Sequence, residues 1–455
     1  MNRKKILTSG WILVLGLISA IPVKAQLDIS GQLRARPEFR DGQGAPLAKG
    51  APDAFFISQR TRLNVSYSMY RLKFGLSLQD VRVWGQDAST INTTTTQNNN
   101  GLQLHQAWAE IQLTDSMLKN QSLSLKIGRQ ELVYDDQRLL GNLDWLQQGR
   151  SHDAALLKYE AGSWMAHLGA AYNQNQQNAS GTVYNPTAPG NYTASTNGGA
   201  MYKSMQFLYV GKRLEAGNVS FLFFSDQFSK YQMDTVNGAA TKAFQSGIWA
   251  RATTGLFFTN KFHLTTITAS GYFQFGRTAT GQKLSAGLLS GTIQQDLTTK
   301  LSLALGLDYT SGSSTSATSH TFDPLYGTPH KFWGLMDFYY AASGFGRGGL
   351  VDAYVKLNYK TGERWQLSAD LHQFNSASPV IVPGDPGNTK KSFGQELDLV
   401  AVYRLTKQIS FEGGYSHYWS TSVLTSANVK NVPNARSDAN WAYIMIDIRP
   451  SFLSK

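Results

Sequence analysis

Cysteine is absent from the 455 residues. That excludes a disulfide scaffold, a zinc–thiolate site and a thiol nucleophile. Charged residues are also scarce, at 16%. Beyond the N-terminus no apolar run reaches the length of a membrane-spanning helix, and mean hydropathy is −0.28. No G-x-S-x-G elbow is present, and the eight histidines, His105, His152, His263 and His372 among them, fall in no nucleophile or metal-ligand spacing. A G-x-G-x-x-G match at 344–349 has no helical pattern after it, so it reads as loop flexibility rather than a dinucleotide site. An enzyme therefore has little to stand on: we expect no catalytic residues, no metal site and no cofactor.

What the chain does have begins with an export signal. Asn2-Arg3-Lys4-Lys5 is a basic n-region, residues 6–21 are apolar, and Val23-Lys24-Ala25 is a small-x-small cleavage site. A membrane anchor is the rival reading, but the apolar run is short and ends at Pro22. The expected organisation is a cleaved signal peptide at 1–25 and one domain at 26–455. Losing Arg3, Lys4, Lys5 and Lys24 lowers the net charge from +12 to +8. Such a balance would suit nucleic acid, but an exported chain meets anionic sugars or lipopolysaccharide instead.

The dominant pattern is strict alternation. In 300–309, Leu301, Leu303, Leu305, Leu307 and Tyr309 alternate with Lys300, Ser302, Ala304, Gly306 and Asp308. In 28–40, Ile29, Leu33, Ala35 and Phe39 take one face, and Gln32, Arg34, Arg36, Glu38 and Arg40 the other. Segments of this kind occur at 28–40, 54–70, 71–84, 102–115, 121–134, 151–161, 163–173, 201–214, 216–229, 245–259, 261–277, 282–296, 298–311, 349–361, 363–375, 392–405, 407–421 and 438–449. That is 18, an even number. Tight turns near 70, 118, 162, 215, 260, 297, 362 and 406 alternate with mostly long connections. The predicted fold class is all-β: a transmembrane antiparallel up-and-down β-barrel of about 18 strands, with long external loops and short periplasmic turns. Both termini then lie in the periplasm. The 21 Tyr, 23 Phe and 10 Trp suit girdles at the two membrane interfaces. A soluble sandwich or propeller would not show this asymmetry.

In that register the polar faces point into a water-filled lumen. Arg34, Arg36, Arg40, Arg60, Arg62 and Lys73 are placed there, with Arg129, Arg138, Arg150 and Arg251 as additions. Parity slips near Asp80, leaving the side of Arg82 open, and again at Gly128, which would turn Arg129 and Glu131 inward. A basic lumen concentrates anions and repels cations, and arginine's fork matches carboxylates. Glu38, Glu110, Glu131, Asp135, Asp136, Glu396 and Asp398 would pair with the arginines. The competing reading is that such pairs only brace a water-filled barrel.

The stretch 126–153, KIGRQELVYDDQRLLGNLDWLQQGRSHD, carries a resemblance. GRQELVYDDQRLLG, then DW at Asp144-Trp145, GR at Gly149-Arg150 and Asp153, resembles the signature of the alginate-export family of outer-membrane barrels. QDVRVWGQD at 79–87, HKFWGLMDFYY at 330–340 and GQELDLVAVYRL at 394–405 extend it over nearly the whole mature chain. The resemblance implies passive passage of a polyuronate through an arginine-rich pore, with Arg129, Arg138 and Arg150 matching the family motif. A general anion porin is the alternative. Expected partners are an anionic sugar or small anionic solute, outer-membrane lipid and the barrel-assembly machinery. Two features depart from expectation. The chain ends Phe452-Leu-Ser-Lys rather than on an aromatic residue. The aromatic-rich segment 321–340 either folds into the mouth as a gate or packs outside on its neighbours.

Overall fold

Eighteen strands make the wall: β1 (Gln26–Asp41), β2 (Ala54–Met69), β3 (Leu72–Val83), β4 (Gln103–Gln112), β5 (Gln121–Gln130), β6 (His152–Ala161), β7 (Trp164–Tyr172), β8 (Ser204–Arg213), β9 (Gly217–Val236), β10 (Ala239–Phe262), β11 (Thr265–Arg277), β12 (Lys283–Asp296), β13 (Leu301–Thr310), β14 (Leu350–Thr361), β15 (Trp365–Ile381), β16 (Thr389–Arg404), β17 (Ile409–Ser420) and β18 (Asp438–Ile448). The computed structural model describes residues 26–85, 101–114, 120–173, 202–236, 238–312, 317–341, 345, 348–383 and 389–454. Residues 1–25, expected to be a signal peptide, and most of the two expected polar loops at 86–101 and 174–200 lie outside them. Every strand pairs antiparallel with its neighbour in the chain, and β18 closes on β1, for example Arg40↔Trp441. Pro450 has no N–H to give the ladder. The chain breaks there, and Ser451–Ser454 resumes pairing with β1.

Alternation sets which face meets lipid. Leu289, Ile293, Leu305 and Leu307 are more than half exposed on the outer face, whereas Leu288, Ala304 and Asp308 are buried within. Among the described residues seven tight connections gather at one end, from β2–β3 to β16–β17; the expected turn near 118 lies outside the described residues. At the other, β9 and β10 run on as a hairpin through residues that the alternation reading assigns to a loop, 230–244.

An empty 18-stranded barrel would leave an aqueous channel. Here two long connections, 131–151 and the described part of 317–341, fold into the lumen, so the aromatic segment takes the inward of its two readings. Leu132, Leu139 and Leu140 from the first are buried with Trp333, Met336, Phe338, Tyr339 and Tyr340 from the second. Burying each of these large side chains contributes roughly 1.5–3 kcal/mol. The segments pair with each other: Gly141 and Tyr326 donate backbone N–H to Tyr326 and Leu139 at 2.9 Å, and Thr328 N–H donates to Gln137 at 2.8 Å. Gly327 permits this approach, since a Cβ there would lie 2.0 Å from the Arg138 carbonyl oxygen. The second segment is pinned to the far wall, with Met336 N–H donating to Glu396 at 2.8 Å and Leu335 N–H to Asp398 at 3.3 Å. Gly334, at φ +83°, makes room for the Glu396 carboxylate.

Neither expected parity slip occurs where the alternation puts it. The β2–β3 ladder runs unbroken from Ser58↔Val83 to Met69↔Leu72. Asp80 and Arg82 therefore keep the outward parity of Leu78 and pair with each other at 2.6 Å. The β5 ladders are likewise unbroken through Gly128. The irregularity sits one strand over, in β4, where Leu78 pairs with Leu104 while Ser77 pairs with Gln106, so His105 is the extra residue. Arg129 thus keeps the parity of Ile127. It lies on the outer face against Asp153, at 2.8 Å, and not in the lumen as the sequence reading has it.

Candidate functional site

The β1–β2 register places Arg34 directly opposite Arg60 and Gln32 opposite Arg62, all pointing inward. Like charges directly opposite on an antiparallel pair repel. The compensation comes from the in-folded segment 131–151. The Asp144 carboxylate lies 2.9 Å from Arg60, and 3.5 Å from both Arg34 and Arg62. Burial alone would raise the Asp144 pKa, but the Arg60 and Arg34 guanidiniums outweigh it and hold the carboxyl below its ordinary range.

Backbone carbonyls of the same segment take much of the remaining donor capacity. Arg34 donates to the Trp145 and Leu146 oxygens at 3.2 and 3.3 Å and to Gln147 Oε1 at 2.9 Å. Arg60 donates to the Gln147 carbonyl at 3.3 Å and to Gln32 Oε1 at 2.9 Å. Arg36 donates to the Trp145 carbonyl at 2.8 Å while its guanidinium lies 3.9 Å over the Trp145 ring. That ring stacks in turn on His330 at 4.2 Å, so the basic wall, the first segment and the second form one continuous contact. Glu38 joins Arg36 and Arg40, at 2.7 and 2.8 Å.

The structure therefore brings together Arg34, Arg36, Arg40, Arg60 and Arg62, as the alternation predicts. Glu131 stands beside them, bonded to His105 at 2.8 Å and Asn142 at 3.0 Å. Lys73 has the inward parity but sits toward the tight-turn end, opposite Glu110, which pairs with Lys158 at 2.5 Å. The other predicted arginines do different work. Arg138 rides on the in-folded segment and reaches Asp308 at 2.6 Å and Asp136 at 3.3 Å. Arg150 donates to the Gly327 carbonyl. Arg251 is held between Asp226 at 2.6 Å and Asp323 at 2.8 Å. These three brace the lumen segments.

The alternation reading missed Gln147, Trp145, His105, Lys126 and Lys158 as contributors. Lys126 and Lys158 alternate correctly and were within reach of it. Gln147 and Trp145 lie in a segment with no period, so nothing local marks them. Asp135, at the tip, is fully engaged by neutral donors: the Tyr209 hydroxyl at 2.9 Å, Ser220 at 2.8 Å and Asn218 at 3.3 Å. Burial raises its pKa despite them.

The basic wall is thus a row of guanidinium forks that outnumber the carboxylates paired with them, Glu38 and Asp144, a geometry that can bind oxyanions. The family model for alginate export matches residues 25–437. Among curated proteins none matches the sequence. Solved structures with a similar fold include Pseudomonas aeruginosa OccK11 (OpdR), 12% identical over 94% of this chain and 96% of that one, TM-score 0.56. Pseudomonas aeruginosa OpdO is 13% identical over 94% and 98%, TM-score 0.59. Acinetobacter baumannii OccAB4 gives 13%, 94% and 98%, with TM-score 0.59. At such identities the likeness is one of fold.

Proposed function

We propose, since the chain belongs to the alginate-export family, that this outer-membrane channel passes anionic solutes along the Arg34–Arg60–Arg62 wall, with uronate-type sugars as the fitting class. The observation that carries this is the surplus of fixed positive charge. Three guanidiniums share the single carboxylate of Asp144. A lumen of that sign raises the local anion concentration and excludes cations. Carboxylates along a uronate chain match arginine forks as they pass from one to the next.

The same reading assigns residues 1–25 to a cleaved signal peptide and 26–455 to one barrel domain. Both termini lie in the periplasm, lipid surrounds the apolar outer face, and the barrel-assembly machinery inserts the chain. Arg36, Arg40, Lys73 and Glu131 contribute to the solute path. Arg138, Arg150 and Arg251 act on it through the segments they hold.

Single-channel recording of the refolded protein in a planar bilayer, under a salt gradient and then with added oligouronate, tests this. Anion-selective current blocked by oligouronate supports a uronate path. Anion-selective current indifferent to it leaves a general anion porin. Cation selectivity overturns the arginine-wall reading.

A further inference from the structure

We propose that Asp144 occupies the position of a solute carboxylate and acts as the channel's own competing ligand; this deepens the anion-path reading above and rests on it. Three observations support the assignment. First, the site has more donors than its resident carboxylate can use. Among the described residues Arg60 Nε and Arg62 Nη2 are buried without an acceptor. Second, Asp144 makes loose contacts with two of its three partners, at 3.5 Å. Charge-assisted N–H···O bonds settle at about 2.7–2.9 Å, and a free carboxylate can present both oxygens to one fork. Third, Asp144 is the accessible member of the group. Its side chain is 40% exposed, against 4%, 1% and 9% for Arg34, Arg60 and Arg62. A solute therefore approaches from the side on which Asp144 stands.

The segment does not need this carboxylate to stay in place. The backbone oxygens of Trp145, Leu146 and Gln147 and the Gln147 side chain bond to Arg34, Arg36 and Arg60 independently of it. Exchange thus requires a side chain to swing aside, not a loop to leave the lumen. The benefit is kinetic. An arginine trio with no competitor would hold a carboxylate too long, and conduction needs binding weak enough to be reversed. A tethered carboxylate that re-enters behind each solute lowers affinity without lowering the field that attracts the next.

The test compares block of single-channel chloride current by glucuronate and by glucose in the full-length refolded protein. Asp144→Asn should tighten glucuronate block about 3- to 10-fold, lengthen its dwell time, and leave the weak effect of glucose unchanged; each tenfold corresponds to about 1.4 kcal/mol. Asp144→Glu, which keeps the charge, should stay within about 2-fold of the parent. Asp144→Ser serves the same purpose if the asparagine variant does not refold, with refolding checked by heat-modifiable mobility. An Asp144→Asn channel that binds glucuronate no tighter, or that gains equally for glucose through mere widening, overturns the proposal. Arg60→Ala separates the two readings. If it weakens glucuronate block while Asp144→Asn changes nothing, the anion path stands and the competitor role falls. If neither variant alters block or selectivity, the anion path itself falls.

Discussion

Arg34 faces Arg60 across the β1–β2 ladder, and the carboxylate that bridges them, Asp144, comes from a segment more than a hundred residues further along the chain than Arg34. The repulsion between two opposed guanidiniums is thereby offset by a carboxylate set between them, while the neighbouring Trp145, Leu146 and Gln147 oxygens hold the lumen segment. Replacing Arg60 with alanine removes a charge from the wall and one of Asp144's partners. The expected result is a several-fold fall in the anion-to-cation permeability ratio, read from reversal potentials.

The pH response of this contact follows from the sign of the Asp144 shift. Its carboxyl is held below the ordinary range by Arg60 and Arg34, against burial. A group depressed in this way contributes stability above its free-chain value of 3.8 and loses it as pH falls through its lower value in the barrel. Conductance and selectivity should be insensitive to this group between about pH 5 and pH 8, and change only below about pH 4. A transition of the Asp144-dependent block near neutrality would contradict this.

Arg138 and Asp308 form a pair buried at both ends, 2.6 Å apart. Removing Asp308 leaves the buried Arg138 with only the longer contact to Asp136 at 3.3 Å, and breaking a buried pair from one side costs up to about 3–5 kcal/mol. Asp308→Ala should lower the temperature of the heat-modifiable mobility shift and make single-channel current noisier, because the segment Arg138 holds is loosened. The double variant Arg138→Met with Asp308→Leu should recover much of that stability, since a packed apolar pair leaves no stranded charge.

Trp145 links the basic wall to the second lumen segment through Arg36 on one face and His330 on the other. Such contacts contribute roughly 0.5–2 kcal/mol each. Trp145→Ala should raise open-channel conductance and the frequency of brief closures while leaving ion selectivity in the parent range. Unchanged conductance would mean that the stack does not narrow the path.

Arg129 supplies the negative control. It sits on the outer face paired with Asp153, so Arg129→Ala should leave selectivity and uronate block as they are in the parent channel. A loss of selectivity equal to that of Arg60→Ala would place it in the lumen after all.

The wall was legible because lipid imposes a period of two on every strand, as in Leu301 to Tyr309 and in the Arg34, Arg36, Glu38, Arg40 face of β1. The same rule put Arg60 and Arg62 inside correctly. It failed at Arg129 because Gly128 looked like the site of a bulge, whereas the ladder absorbs its extra residue at His105 in the neighbouring strand. A bulge depends on which strand of a pair yields, and one strand's sequence does not carry that information. The lumen filling was only half legible. Residues 131–151 and 321–340 are conspicuously charged and aromatic, but their partners are far away in the chain: Asp308 for Arg138, Glu396 for the Met336 amide. No local pattern announces such contacts. Strands β9 and β10 run past the 216–229 and 245–259 that alternation marks, because beyond the apolar band no lipid enforces a period of two.

The most direct test of the account is the zero-current potential of the refolded channel in a salt gradient, measured for the parent and for Arg34→Ala with Arg60→Ala combined. The account predicts a potential of anion-selective sign in the parent that moves most of the way to zero in the double variant. A cation-selective parent, or a double variant with the parent's anion selectivity, would contradict it.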